Sequence, residues 1–266
     1  RHTPITPNQV SWLTIVFGVS ACLTLAGVIP YGAPFAAACI FAQMVLDCAD
    51  GQLARARGGG SRAGRILDGV ADYINAVALH VGLYLYLVQR GGTVLGFEAE
   101  RWTVAGLVIA AGVGMALNAV AYDGLKGRFK RITGAAKDET DKPEDIAREL
   151  AAATSIEERV LLWLYWQYCR VQSSARRPSQ RMAPVSEEAA ALNREKYHWN
   201  MWLWSLIGPT MHFTGIAAAA LLTVWNPESI EWYLFAAIVP ANIFMLVMLA
   251  WTRALDRDSP SMGSAQ

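Results

Sequence analysis

The stretch DCADGQLARARGGGSRAGRILDGVADY, residues 47–73, decides how the rest of the chain is interpreted. It carries four aspartates at the junction of two apolar segments, each long enough to cross a bilayer as a helix. Ionised carboxylates at membrane depth cost several kcal/mol each unless they are paired or bound to a metal. Something in or near this stretch must therefore compensate the four charges.

Helical spacing places the aspartates on two faces. Residues three and four apart share a face, so Asp47 and Asp50 line one side of the second apolar helix. Asp68 and Asp72 line one side of the third. The short Gly-rich connection returns the chain, so the two faces can oppose each other. Up to eight carboxylate oxygens in a small volume suit hard cations such as Mg²⁺ or Mn²⁺ better than zinc.

Small residues and an arginine accompany the aspartates. Gly51, Ala54 and Gly64 leave room for a ligand to approach the backbone, and Arg55 is a fixed cation suited to phosphate. Metal ions that clamp a pyrophosphate, a nearby arginine and a carboxylate that takes a proton make a phosphoryl-transfer site. The stretch is not a nucleotide-binding P-loop, because GGGSR lacks the Gly-Lys-Ser/Thr ending. Interhelical polar contacts that only stabilise packing are the alternative explanation of the aspartates.

The composition indicates a membrane protein, since 54% of the 266 residues are hydrophobic and only 17% are charged. We therefore expect an all-α integral membrane protein with six transmembrane helices. The apolar stretches that predict them lie at roughly 11–33, 36–54, 66–89, 102–125, 201–225 and 229–252.

The basic residues predict the orientation, because Lys and Arg near helix ends are retained on the cytoplasmic side. All of the 23 Lys and Arg except Arg90 and Arg101 fall on one side if both termini are cytoplasmic. The motif then also lies on the cytoplasmic side. We expect residues 1–266 to form a single membrane domain with an interfacial N-terminal segment.

Residues 126–200 are predicted to form a cytoplasmic helical insertion between helices 4 and 5, because their composition is charged and polar. Within them, Ser155 followed by Glu158 is a capping-box pattern that opens a helix. The apolar centre of that helix, VLLWLYWQY, is too short to span a bilayer, so we expect it to lie at the interface or to pack against the bundle.

The aspartates and their small neighbours form one spaced pattern: Asp47-x2-Asp50-Gly51-x2-Ala54-Arg55-x8-Gly64-x3-Asp68-x3-Asp72. This pattern resembles the signature of the CDP-alcohol phosphotransferase (CDP-alcohol phosphatidyltransferase) family at all eight defined positions. The resemblance implies a six-helix membrane fold and a reaction in which an acceptor oxygen attacks the β-phosphate of a CDP-linked donor and releases CMP. It also implies a homodimer.

The resemblance implies a role for each aspartate. Asp47, Asp50 and Asp68 would be the principal ligands of two Mg²⁺ or Mn²⁺ ions. Asp72 would be the general base that deprotonates the acceptor hydroxyl, and also an additional ligand of the metals.

The resemblance also implies donor contacts. Gly51, Arg55 and the loop residue Ser61 would contact the CDP group, and the small residues Ala54 and Gly64 would line the same donor site. The segment Thr6-Pro7-Asn8 resembles the family's N-terminal segment that closes over the nucleotide, so Asn8 would touch it.

Acceptor contacts are less clearly marked. Lys126 and Arg128 follow the fourth apolar stretch, where they would hold an acceptor phosphate or act only as cytoplasmic anchors. His212, within the fifth stretch, is either an acceptor-site contact or a hydrogen-bonded core histidine.

The motif leaves the substrates open. The favoured reaction takes CDP-diacylglycerol and a small polar alcohol or its phosphate, in phospholipid synthesis. The same chemistry could use a soluble donor (CDP-choline, CDP-ethanolamine or CDP-inositol) with a lipid or inositol-phosphate acceptor. Membrane prenyltransferases place their Asp-rich segments farther apart, and a divalent-cation transporter would not need Ala54 and Arg55. No nucleic acid is expected as a partner.

Overall fold

The computed structural model describes residues 5–59, 62–135, 143–175 and 185–257. Within these ranges the chain is helical apart from one short hairpin and the connections. The helices are α1 (Pro7–Leu25), α2 (Ala33–Ala56), α3 (Arg62–Gln89), α4 (Arg101–Ile132), α5 (Pro143–Ala152), α6 (Ile156–Ala175), α7 (Glu187–Trp204), α8 (Pro209–Leu222), α9 (Ser229–Ile238) and α10 (Pro240–Arg257). The hairpin pairs β1 (Thr93–Val94) with β2 (Phe97–Glu98) in antiparallel register.

Among the described residues, five helical stretches are long and apolar enough to cross a membrane, and a bent pair makes up to six. The five are Pro7–Leu25, Ala33–Ala56, Ala63–Gln89, Arg101–Ile132 and Ser229–Arg257. The bent pair is Glu187–Ile207 with Pro209–Leu222, at 44°. The predicted all-α membrane class is therefore confirmed, whereas the count of six, the cytoplasmic position of the insertion and the single domain stay predictions.

Two helix boundaries differ from the expected ones. The fourth span was expected to end near residue 125, but α4 continues to Ile132. Its last turns are rich in Lys and Arg, which are good helix formers, so the helix extends past the apolar region. The fifth span is interrupted: Gly208 is extended (φ −67°, ψ 164°) and Pro209 opens a new helix at its first position. Proline is favoured there because its missing N–H would have no partner within the helix.

The described residues fall into two compact units. The first unit comprises the described residues of Arg1–Val19, Ala42–Ala76 and Lys137–Ala183, and the second comprises those of Ser20–Phe41, Val77–Ala136 and Pro184–Gln266. The first unit therefore contains the beginning of α1, the end of α2, the beginning of α3, and the pair α5 and α6.

In the first unit, α5 and α6 pack on the beginning of α3. The buried side chains of this core are Ala63, Leu67, Ile146, Ala153, Leu161 and Leu162. The Ser155 hydroxyl accepts a hydrogen bond from the Glu158 N–H (3.1 Å), so the predicted helix start is confirmed. Because Leu67 precedes Asp68, the pair of helices supports the turn of α3 that carries this carboxylate.

In the second unit, α4 contacts α7, α8, α9 and α10. The close approach of α4 to the break between α9 and α10 requires Gly114, because a Cβ there would lie 2.8 Å from Asn242 Nδ2 and 3.1 Å from the Ala237 carbonyl oxygen. Asn242 Nδ2 donates to the carbonyls of Ala237 (3.0 Å) and Ile238 (2.9 Å). A side-chain amide thus satisfies backbone groups next to a proline break, as a membrane-embedded helix requires.

Candidate functional site

Three of the four motif aspartates come together in the first unit. Asp47 and Asp50 lie on α2 and Asp68 lies on α3. Each offers one carboxylate oxygen, and the three oxygens lie within 4.8 Å of one another. Asp50 is buried at 5% exposure, while Asp47 and Asp68 are half-buried. We call these three residues the aspartate cluster.

The connection between α2 and α3 explains how the two faces meet. Gly58 (φ 94°) and Gly59 (φ 118°) both adopt backbone conformations that L-residues with a side chain rarely adopt. The Gly59 N–H bonds the Ala54 carbonyl (3.0 Å) and the Gly58 N–H bonds the Arg55 carbonyl (3.1 Å), which closes the end of α2. The glycines therefore end α2 at the point that lets α3 return with Asp68 beside Asp47 and Asp50.

The donor set of the aspartate cluster fits a hard divalent cation. All three ligands are carboxylate oxygens, which Mg²⁺ and Mn²⁺ prefer over nitrogen and sulfur. Three carboxylates this close repel one another, and a bound cation would remove that repulsion. The cluster is thus able to hold metal.

Asp72 lies on α3, four residues after Asp68, and is exposed. The group of three converging oxygens does not include it. The Asp72 carboxylate thus lies one helical turn after a residue of the aspartate cluster, on the surface of the helix. Its role as general base, and as an additional ligand, stays a prediction.

The predicted donor contacts on α2 lie at its C-terminal end, next to Asp50. A Cβ added to Gly51 would lie 3.5 Å from Arg55 Nη1, so the guanidinium group folds back over the bare glycine backbone. Gly51 and Ala54 are half-buried and Arg55 is exposed. A phosphate that approaches Gly51 would therefore meet the arginine.

The remaining predicted donor contacts lie on other segments. Gly64 is half-buried in the first turn of α3, and Asn8 is half-buried in the first turn of α1. Ser61 lies outside the described residues. Donor binding by all of them stays a prediction.

Ser11 is a site residue that the motif did not indicate. Its hydroxyl donates to Asp50 Oδ2 at 2.7 Å, and the side chains of both residues are buried. The available signal in the sequence was the polar series Asn8, Ser11 and Thr14 in the first half of α1, since this spacing places all three on one side of the helix.

In the second unit, the predicted acceptor residue Arg128 is held by an ion pair. Its Nη1 and Nη2 donate to the two carboxylate oxygens of Asp256 at 2.6 and 2.7 Å, and the Tyr197 hydroxyl donates to Asp256 Oδ1 at 2.5 Å. Lys126 is exposed, with its ammonium 5.4 Å from the centre of the Tyr122 ring. Arg128 therefore joins α4 to α7 and α10, which the sequence did not indicate.

His212 is buried in α8, and its Nε2 lies 3.3 Å from Asn118 Nδ2 on α4. A hydrogen bond between buried side chains of two helices is the contact expected of a core histidine. A role for His212 toward an acceptor stays a prediction.

The apolar helices and the aspartate cluster define an integral membrane protein with a candidate divalent-metal site where two consecutive helices meet. The chain belongs to the CDP-alcohol phosphatidyltransferase family, because the model of that family matches residues 4–136, which is half of the 266-residue chain. The match contains Ser11 and all four motif aspartates. It leaves out α5 to α10.

The chain is also similar to phosphatidylinositol phosphate synthases. It is 40% identical over 84 residues to that of Mycobacterium tuberculosis (strain ATCC 25618 / H37Rv), which is 31% of this chain and 37% of that protein, and the protein of Mycobacterium bovis (strain BCG / Pasteur 1173P2) gives the same values. The Mycobacterium marinum protein is 39% identical over 80 residues, 30% of this chain and 33% of the relative. The chain thus matches about a third of the length of these curated relatives. No solved structure matches it significantly.

Proposed function

We propose that this protein transfers a phosphatidyl group from CDP-diacylglycerol to a hydroxyl of a small polar alcohol and releases CMP, with inositol phosphate as the favoured acceptor. The observation that carries the proposal is the aspartate cluster, in which three carboxylate oxygens converge within 4.8 Å. Membership in the CDP-alcohol phosphatidyltransferase family supports the CDP-linked donor. The name of the mycobacterial relatives supports inositol phosphate as the acceptor.

The residues of the site have separate tasks in this reaction. Asp47, Asp50 and Asp68 would hold two Mg²⁺ or Mn²⁺ ions, which would supply positive charge to the pyrophosphate of the donor. Arg55, folded over Gly51, adds a fixed positive charge beside the phosphates.

Proton transfer and bond exchange then complete the reaction. Asp72 takes the proton of the acceptor hydroxyl as the oxygen forms a bond to the β-phosphorus. The bond from that phosphorus to the bridging oxygen breaks, and CMP leaves with the α-phosphate. The diacylglycerol phosphate is now esterified to the acceptor.

The arrangement in the membrane is part of the same proposal. Six spans, with both termini and the aspartate cluster on the cytoplasmic side, would give the site access to a nucleotide-linked donor, and the distribution of Lys and Arg supports this orientation. Residues 126–200 would form the cytoplasmic helical insertion. A homodimer is the expected assembly by analogy with the family.

The direct test is CMP release by the purified protein in nanodiscs with Mg²⁺ or Mn²⁺ and CDP-diacylglycerol. The acceptors to compare are inositol phosphate, inositol, glycerol phosphate, serine and choline. We expect CMP release with inositol phosphate as the acceptor. We expect no release after chelation of the metal, because the bare carboxylates of the cluster would then repel the negatively charged pyrophosphate.

Other outcomes identify other functions. CMP with a different acceptor would replace inositol phosphate but keep the reaction. CMP release only from soluble CDP-alcohols would mean that the donor carries the headgroup and that the lipid is the acceptor. If no CDP-linked donor reacts and the protein carries Mn²⁺ across a vesicle membrane, the protein is a cation transporter.

Lys126 is the more exposed of Lys126 and Arg128, the two candidate contacts of the acceptor phosphate, and we propose it for that role. A Lys126→Gln variant should raise the KM for inositol phosphate by about tenfold, since a charge-assisted hydrogen bond is worth roughly 1.5–3 kcal/mol. The KM for CDP-diacylglycerol should not change. Lys130→Gln is the matched control, because Lys130 is exposed on the same helix, and an equal effect of both variants would reduce Lys126 to a cytoplasmic anchor.

A further inference from the structure

The contact between Ser11 and Asp50 joins the first helix to the aspartate cluster. The Ser11 hydroxyl lies 2.7 Å from Asp50 Oδ2, and the two residues are only 3% and 5% exposed. An O–H donor to a carboxylate at this distance is a short, charge-assisted hydrogen bond, which is roughly twice as strong as a neutral one. In a buried setting, such a bond restricts the rotation of the carboxylate.

The proton of Ser11 has two acceptors within reach. Besides Asp50, the hydroxyl lies 3.3 Å from the Pro7 carbonyl oxygen of its own helix. A hydroxyl donates one proton at a time, and the carboxylate is both nearer and charged. The proton therefore points to Asp50 Oδ2, and this bond holds the carboxylate in one orientation.

A second contact fixes α1 beside the site. A Cβ added to Gly18 would lie 2.1 Å from Asn75 Oδ1, so any side chain at this position would force Asn75 or α1 to move. Asn75 is fully buried on α3, seven residues after Asp68. Ser11 and Gly18 are seven residues apart and share one face of α1. One face of α1 therefore touches α2 through Ser11 and α3 through Gly18.

We propose that Ser11 is a positioning residue that fixes the rotamer of Asp50, so that one carboxylate oxygen faces Asp47 and Asp68 as a metal ligand. The inference rests on the proposed function only in treating the aspartate cluster as a metal site. It extends that site to the first helix, where Asn8 lies one turn before Ser11. Outer hydrogen-bond partners of metal ligands change metal affinity by about 10- to 100-fold when removed.

The test measures Mn²⁺ binding in the full-length protein in nanodiscs, without substrates, from the electron paramagnetic resonance signal of free Mn²⁺. Ser11→Ala should weaken Mn²⁺ binding by about tenfold, at the lower end of that range. Ser11→Thr keeps the hydroxyl that donates to Asp50. Its Mn²⁺ affinity should therefore stay within about threefold of that of the unaltered protein.

The matched control is Thr14→Val. Thr14 is also buried on α1, but its hydroxyl donates to the Ser11 carbonyl (2.7 Å), so its loss removes a buried hydroxyl without touching a carboxylate. Its Mn²⁺ affinity should not change. If Ser11→Ala does not fold, Ser11→Cys has a similar shape and a weaker donor, and should show the same direction of change.

The outcomes separate this inference from the proposed function. Mn²⁺ binding by Ser11→Ala within twofold of the unaltered protein overturns the positioning role, as does an unaltered protein that binds no Mn²⁺. A protein that binds Mn²⁺ and loses affinity on Ser11→Ala, but releases no CMP from any donor, retains the positioning role and refutes the proposed function. In an active protein, the Mn²⁺ concentration for half-maximal rate should rise with Ser11→Ala even at saturating substrates.

Discussion

Replacing Asp72 with asparagine should reduce CMP release by about a thousandfold, because an amide cannot take the proton of the acceptor hydroxyl and positioned general bases contribute about 10²- to 10⁴-fold. Asparagine has nearly the shape of aspartate, and the converging oxygens of the cluster do not include Asp72. The affinities of Asp72→Asn for Mn²⁺ and for the CDP-linked donor should therefore stay within a few-fold of those of the unaltered protein. The measurement is single-turnover CMP release at saturating donor and acceptor, together with Mn²⁺ binding.

Asp145→Asn is the control for this variant. Asp145 lies on α5 in the same unit, where it pairs with Arg148 at 2.6 Å on an exposed surface, and such pairs contribute about 0–1 kcal/mol. Its activity should be unchanged. An Asp72→Asn protein that retains a tenth or more of the activity would exclude Asp72 as the base, and a joint loss of activity and Mn²⁺ affinity would instead make Asp72 a metal ligand.

The aspartate cluster could be predicted because its geometry follows from short-range rules. The 3.6-residue period fixes which residues of α2 and α3 share a face, and the glycines between the helices fix where the chain turns. Asp47 and Asp68 are only 21 positions apart, so few arrangements of the intervening chain are possible. The high cost of carboxylates in lipid then indicates that these faces meet around something positive.

The contacts between distant segments could not be predicted in the same way. Ser11 and Asp50 are 39 positions apart, and Arg128 and Asp256 are 128 apart. Helical periodicity places Ser11 on a polar face of α1, but it does not determine which helix that face meets. For Arg128, the expected functions were a phosphate contact or an anchor, whereas the observed bidentate pair depends on how α4 and α10 pack.

The sequence predicted which segments form helices better than it predicted where those helices end. Apolar length identifies a stretch that can cross a membrane, but it cannot show that α4 continues for seven residues beyond the apolar region to Ile132. The pairing of α5 and α6 with α3 also depends on tertiary packing, since Ile146 and Leu162 are buried against residues some 80–100 positions earlier in the chain.

An Asp68→Asn variant should be more stable than the unaltered protein when metal is removed, and less stable when metal is present. Without metal, carboxylate oxygens within 4.8 Å repel one another, and asparagine keeps the shape of the side chain while removing one of the charges. A relief of about 1 kcal/mol raises the melting temperature of a protein of this size by roughly 2–4 °C. The rise should appear in chelator, and CMP release should be lost because a metal ligand is missing.

Added Mn²⁺ should reverse the order of stability of the two proteins, because it stabilises the unaltered protein more. A ligand at a hundredfold excess over its Kd stabilises the protein that binds it by about 2.7 kcal/mol, so the unaltered protein should gain several degrees. Asp68→Asn should gain much less, whereas Asp145→Asn should behave as the unaltered protein does in both conditions. The measurement is thermal unfolding in nanodiscs with chelator and with Mn²⁺. If Asp68→Asn instead melts at a lower temperature in chelator and keeps the full gain with Mn²⁺, the aspartates stabilise helix packing through polar contacts, and the metal binds elsewhere.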